Sequence, residues 1–115
     1  MYYADVVISM FSTTAIEAAL LDKPTIAIGF DGYAKRPPHQ TIRRMEKMHH
    51  FKNVLDTGNV KLARDFEDLF QAINTYLLFP EKDTEKRKQL VEELCYRADG
   101  LASKRISDII LAYSN

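Results

Sequence analysis

Residues 3–32 read YADVVISMFSTTAIEAALLDKPTIAIGFDG, and the residue types run in the order strand, hydroxyl-rich turn, helix, strand. Asp5-Val6-Val7-Ile8-Ser9 is a short apolar run with β-branched residues, the composition of a strand buried on both faces of a parallel sheet. Met10 to Thr14 then turn into a helix, expected from about Thr13 to Asp22 with Ile16, Ala19, Leu20 and Lys23 along one side. Pro24 has no N–H with which to continue it. Thr25-Ile26-Ala27-Ile28-Gly29 supplies the next strand. Two parallel strands joined by a helix of this length make a βαβ unit with a right-handed crossover.

The chemistry follows from where the hydroxyls sit. A helix that starts after a parallel strand points free backbone N–H groups and the positive end of its dipole toward the carboxyl edge of the sheet, where phosphate binds readily. Ser12, Thr13 and Thr14 add hydroxyl donors to that cluster without adding bulk. Glu17 lies one turn further in, and a carboxylate there can accept two hydrogen bonds from vicinal ribose hydroxyls. Thr14-x-x-Glu17 also fits a capping box, in which Glu17 would be structural.

Three pieces of this stretch carry a resemblance: Ala4-Asp5-Val6-Val7-Ile8-Ser9, then Ser12-Thr13-x-x-x-Glu17-Ala18, then Lys23-Pro24-Thr25-Ile26. Together they resemble the nucleotide-binding half of GT-B-type glycosyltransferases, in particular CDP-glycerol glycerophosphotransferase-like and related surface-polysaccharide transferases. They are more distantly similar to non-hydrolysing UDP-sugar 2-epimerases. The resemblance implies that Ser12 and Thr13 contact the donor's phosphates and that Glu17 contacts its ribose; Thr14, the third hydroxyl of the turn, is a phosphate-binding candidate from the turn alone. Asp99-Gly100-x-Ala102-Ser103-x-Arg105-Ile106 is similar to the C-terminal helix region of the same transferases, which implies cleft contacts from Asp99, Ser103 and Arg105. Capping of the last helix is the plainer role for Asp99 and Ser103.

A length of 115 residues is one domain, small for an enzyme acting on both a nucleotide donor and a second substrate. The resemblance therefore implies a partial Rossmann-like α/β domain spanning 1–115, a parallel sheet with helices on both faces. It would be part of a two-domain transferase whose N-terminal acceptor-binding domain is missing. The further strands would precede Tyr2, leaving an exposed sheet edge through which the chain could form a homo-oligomer.

Lys plus Arg equals Asp plus Glu at 16 each, so no overall field argues for nucleic acid or a membrane surface. The charge is local instead: Lys35 to Lys52 hold six Lys/Arg, one Glu and all three histidines. Cys95 is alone, which excludes an intramolecular disulfide and suits a small buried hydrophobe in a reducing cytoplasm. No run has the apolar length to span a bilayer, and Met1-Tyr2-Tyr3-Ala4-Asp5 lacks the basic start of a signal peptide. The expectation is a cytoplasmic protein, peripheral to the inner face of the membrane only through a full-length enzyme or a lipid-linked acceptor.

After the second strand, Asp31-Gly32 signals a turn and Pro37-Pro38 rule out regular structure, so residues 31–40 are expected to form a mobile loop. From His39 to Phe51, Ile42, Met45, Met48 and Phe51 recur every third residue, as in a short helix with one apolar side and a basic remainder. Arg43, Arg44, His49 and His50 are its candidate donor contacts, because a positive group beside the leaving phosphate stabilises a transferase transition state. A solvated basic face is the alternative. No acidic residue clusters with the adjacent histidines, and neither a metal nor another cofactor is expected.

Val60-Lys61-Leu62-Ala63 reads as a third strand, and Asp65 as the cap of a helix with Leu69, Phe70, Ile73, Tyr76 and Leu77 on one stripe, ending before Pro80. A helix from about Thr84 to Arg97 is expected to bury Leu90, Val91, Leu94 and Cys95. A last helix, from about Leu101 to Tyr113, is expected to bury Ile106, Ile109, Ile110 and Tyr113. The function these readings support is binding of a nucleotide-diphosphate-linked donor in a glycosyl or glycerophosphate transferase for cell-surface polysaccharide or a teichoic-acid-like polymer. The alternatives are a non-catalytic nucleotide-binding or assembly module and a UDP-sugar 2-epimerase fragment.

Overall fold

Three short parallel strands in the order β1-β2-β3 form the centre of the chain: β1 (Val7–Ser9), β2 (Thr25–Ile28) and β3 (Val60–Ala63). The computed structural model describes residues 1–114. Between β1 and β2 lies α1 (Thr14–Leu20); between β2 and β3 lie a 3-10 segment (Ile42–Lys47) and α2 (His49–Asp56). After β3 come α3 (Phe66–Leu78), α4 (Thr84–Leu94) and α5 (Ala102–Tyr113). Val7 pairs with Thr25 and Thr25 with Val60, so all three strands run the same way and end at one carboxyl edge.

Helices cover both faces of this α/β sheet. On one face Ala15 and Ala19 of α1, Val54 of α2 and Leu90 of α4 pack with Ala27 and Val60; on the other Ala72 and Tyr76 of α3 pack with Ile26, Phe30 and Ala63. The α1 face is built from alanines, with Ala15, Ala18 and Ala19 all buried, and such small residues let α4 and the sheet approach closely. Leu20, expected on that buried side, is 45 % exposed instead. Asp65 caps α3 as its position implies, its carboxylate accepting from the Asp68 N–H at 2.8 Å.

Only the central strand is buried along most of its length. β1, expected to be buried on both faces, has a neighbour on one side only, and its Ile8 is 45 % exposed. The single helix expected from His39 to Phe51 is two elements, parted at Met48, whose φ of −73° and ψ of 127° are extended. The recurrence of Ile42, Met45 and Met48 at every third residue is the period of a 3-10 helix rather than of 3.6 residues per turn, and the chain adopts it.

The largest departure is α5. Its apolar stripe is real, but the faces of the sheet are already taken by the other helices, and Ile106, Ile109, Ile110 and Tyr113 are all more than half exposed. Phe70, Leu77 and Leu94 are likewise exposed, and Cys95 is half-buried. No helix among the described residues is long and apolar enough to cross a membrane.

Two features hold the layers together, one at the opposite, amino edge and one where the carboxyl end of β2 meets β3. Asp22 closes the α1–β2 turn with a φ of 51°, and its carboxylate meets Arg87, whose side chain is 1 % exposed. Gly29, just past β2, lies so close to β3 that a Cβ there would stand 2.7 Å from the Leu62 side chain and 3.2 Å from the Ala63 carbonyl oxygen. A side chain there would have to displace the Leu62 side chain and crowd the Ala63 carbonyl.

Candidate functional site

In a parallel sheet the loops after the strands gather at the carboxyl edge, the usual place for a ligand in an open α/β fold. Here those loops are Met10 to Thr13 after β1, Gly29 to Thr41 after β2, and Arg64 with Asp65 after β3.

The first loop is the hydroxyl turn. The Thr14 N–H donates to Ser12 Oγ at 3.2 Å, and the Ser12 and Thr14 hydroxyls are 2.9 Å apart. Ser12 therefore takes the capping part that the sequence pattern offered to Thr14. Glu17 is exposed and its carboxylate makes no hydrogen bond or ion pair among the described residues, so the capping box does not form. The Thr13 hydroxyl is free among the described residues, and Ser9, at the end of β1, has a buried hydroxyl with no partner. Phe11 sets its ring edge-on against Phe51 at 4.9 Å, which ties the start of α2 to the hydroxyl turn. His49 and His50 stand exposed in that first turn, the His50 ring 5.4 Å from Phe51.

The second loop is organised by Asp31, which the sequence marked only as a turn. Its carboxylate accepts from the Thr41 hydroxyl and from the Ile42 N–H at 2.9 Å, fastening the start of the 3-10 segment to the end of β2. Arg36 approaches the same carboxylate at 3.8 Å. The hydrogen bonds from Thr41 and Ile42, with Arg36 and Arg43 nearby, outweigh desolvation and hold the Asp31 carboxyl below its ordinary value.

A depressed folded-state value means that this contribution to stability is fully present above the unfolded value and is lost as the pH falls through the folded one. The Thr41 and Ile42 amide signals should therefore stay constant from neutrality down to the carboxylate range and move only below about pH 4. Asp31→Asn should abolish that transition, and a midpoint near pH 6 would show that another group holds the loop.

Arginines surround Asp31. A cavity of about 410 Å³ lies between Met10, Phe30, Asp31, Arg36 and Arg44, and a second of about 520 Å³ lies between Asp31, Gly32, Arg43, Arg64 and Phe66. Arg64 is neutralised by Glu46 through two hydrogen bonds of 3.0 and 3.1 Å. Arg43 and Arg44 reach only carbonyl oxygens, of Arg64 at 3.4 Å and His39 at 2.9 Å, so their charges are unpaired. The fold thus brings Arg43 and Arg44 to the strand ends. The aromatic wall is continuous, with Phe66 4.9 Å from both Phe30 and Tyr33, and Tyr33 is 92 % exposed.

The remaining residues of interest stand apart. Ser12, Thr13, Thr14 and Glu17 line neither cavity; Met10 is the link between their turn and the first. Asp99 and Arg105 pair with each other at 2.8 Å, and Asp99 also accepts from the N–H of Leu101, the N-cap position of α5, which itself has no side-chain cap. Those hydrogen bonds from Arg105 and Leu101 lower the Asp99 pKa. Among the described residues no hydrogen bond or ion pair joins Asp99, Ser103 or Arg105 to the carboxyl edge, and none of the three lines its cavities. No group of three or more His, Cys, Asp or Glu that could hold a metal occurs among the described residues.

Comparison of the chain with protein-family models, with curated proteins and with solved structures finds no match.

Proposed function

We propose that this chain binds a nucleotide diphosphate at the carboxyl edge of its sheet, as the donor-binding half of a GT-B-type glycosyl or glycerophosphate transferase. The observation that carries the reading is the meeting of two unpaired guanidinium groups, Arg43 and Arg44, with the loops that follow all three strands. A diphosphate needs positive charge to spare: Arg64 and Arg36 are each engaged by a carboxylate, whereas Arg43 and Arg44 make no ion pair among the described residues, Asp31 acting on Arg43 only at longer range. The free Thr13 hydroxyl lies in the loop after β1, which reaches the first cavity through Met10. The Phe30–Phe66–Tyr33 cluster offers an apolar surface for a base, with the Tyr33 ring exposed. Transfer would require an acceptor-binding domain in addition to this chain.

Calorimetric titration with UDP and CDP, beside uridine and cytidine, tests the reading. Diphosphates should bind measurably and nucleosides far more weakly; no binding of either diphosphate at millimolar concentration would remove it. Glu17 is unpaired, so Glu17→Ala should leave the melting temperature unchanged. If Glu17 holds the ribose, the substitution should weaken nucleotide binding by about 1.5–3 kcal/mol, the range for a hydrogen bond to a charged group. Unchanged affinity in both Glu17→Ala and Glu17→Gln would take Glu17 out of the site.

The uncovered β1 edge and the exposed apolar stripe of α5 favour a second reading, a nucleotide-binding assembly module without catalysis. Supplied with an acceptor domain and a donor, a transferase releases free nucleotide and a module releases none. An epimerase fragment would act on its donor with no acceptor present.

A further inference from the structure

At the amino edge of the sheet, on the side away from the arginines, a cavity of about 470 Å³ opens between β3, α3 and the start of α4. Lys61 on β3, Lys82 before α4 and Lys86 within its first turn line it, with Gln71, Tyr76 and Asp83. Asp83 is the one carboxylate of the lining. It is already engaged, by Lys86 Nζ at 2.9 Å and by the Tyr76 hydroxyl at 3.0 Å. The Lys86 side chain lies over Gly58, whose φ of 66° and missing Cβ leave room for it, 3.5 Å from where that Cβ would stand.

Lys61, Lys82 and the Gln71 amide have no side-chain partner among the described residues. Three ammonium groups against one carboxylate leave the cavity with an excess of positive charge.

We propose that this cavity is an anion site for a phosphoryl group, held by Lys61, Lys82 and the Gln71 amide, with Lys86 kept in place by Asp83. Lysine suits a phosphoryl dianion, which it meets as a point charge with three rotatable donors. The first turn of α4, an 11-residue helix, contributes the positive end of its dipole. The cavity wall at Tyr76 and Ala72 is apolar, so the phosphoryl group of a small organic phosphate monoester fits as well as inorganic phosphate. The site is separate from the carboxyl edge, and each can fail without the other.

The test is a residue-resolved NMR titration of the whole chain with inorganic phosphate at constant ionic strength, with chloride in place of phosphate as the reference. Saturable shifts at Gly58, Lys61 and Lys86 are expected. Lys61→Met with Lys82→Met, both on the surface, should weaken phosphate at these positions by about tenfold or more, as expected for loss of charged hydrogen bonds. Arg43→Glu should leave them unchanged. A phenyl phosphate titration that saturates at lower concentration than inorganic phosphate would assign the site to an organic monoester, and equal midpoints would assign it to free phosphate. Shifts that grow linearly with either salt, or that survive the double lysine substitution undiminished, would overturn the proposal. Lys61→Gln with Lys82→Gln repeats the measurement with a different side chain, should the methionine variant fold poorly.

Discussion

Arg87→Ala should lower the unfolding free energy by about 3–5 kcal/mol, the largest effect expected of any single substitution in this chain. Its guanidinium is buried at 1 % exposure and makes four hydrogen bonds: to Asp22 at 2.6 Å, to the Lys82 carbonyl at 2.7 Å, to the Pro80 carbonyl at 3.2 Å and to the Thr84 hydroxyl at 2.7 Å. One side chain thus joins the α1–β2 turn, the α3–α4 connection and the first turn of α4.

Truncation removes the aliphatic stem from the interior and leaves two carbonyl oxygens without their donor, each worth about 1–3 kcal/mol when buried. The ion pair itself contributes little of this, because the Asp22 carboxylate is 59 % exposed and screened by water. Asp22→Ala should therefore cost no more than about 1 kcal/mol. Arg87→Lys should recover only a fraction, since one ammonium cannot serve four acceptors spread around a planar fork. Chemical denaturation of the three variants checks the order. Equal losses for Asp22→Ala and Arg87→Ala would mean that the ion pair, not the carbonyl network, is the fastening.

Reversing both unpaired arginines, Arg43→Glu with Arg44→Glu, should weaken nucleotide diphosphate binding by about 2–4 kcal/mol, or roughly thirty- to a thousandfold, while nucleoside binding changes little. The size follows from Coulomb's law at a partly exposed edge, where one charge pair at contact is worth at most about 4 kcal/mol before salt screening. The loss should shrink as salt is raised. Stability should hold, because both guanidinium groups are exposed and bond only to carbonyl oxygens. Equal loss for nucleoside and diphosphate would show that the substitutions disturb the loop rather than the charge.

Local chemistry determined the parts of this chain that depend on neighbours in sequence. The apolar runs Asp5–Ser9, Thr25–Gly29 and Val60–Ala63, Pro24 after α1 and Asp65 before α3 each act within a few residues; a strand formed within each run, over Val7–Ser9, Thr25–Ile28 and Val60–Ala63, and Asp65 caps α3. A βαβ spacing also carried the parallel pairing, since a helix between two strands leaves little other geometry.

Tertiary structure decided which apolar stripe found a surface. Tyr76 and Leu77 belong to one stripe of α3, yet one is 4 % and the other 55 % exposed, because the sheet is three strands wide and cannot cover both. The amphipathic pattern of α5 is as regular as that of α3, yet it stays uncovered, for the number of available faces is a property of the whole fold. The same holds for the candidate sites. Arg43 and Arg44 were visible as a basic run, but Asp31 as their organiser and Arg87 as a buried fastening were not. Asp31 meets Thr41 across 10 residues and Arg87 meets Asp22 across 65, and only folding brings those pairs together.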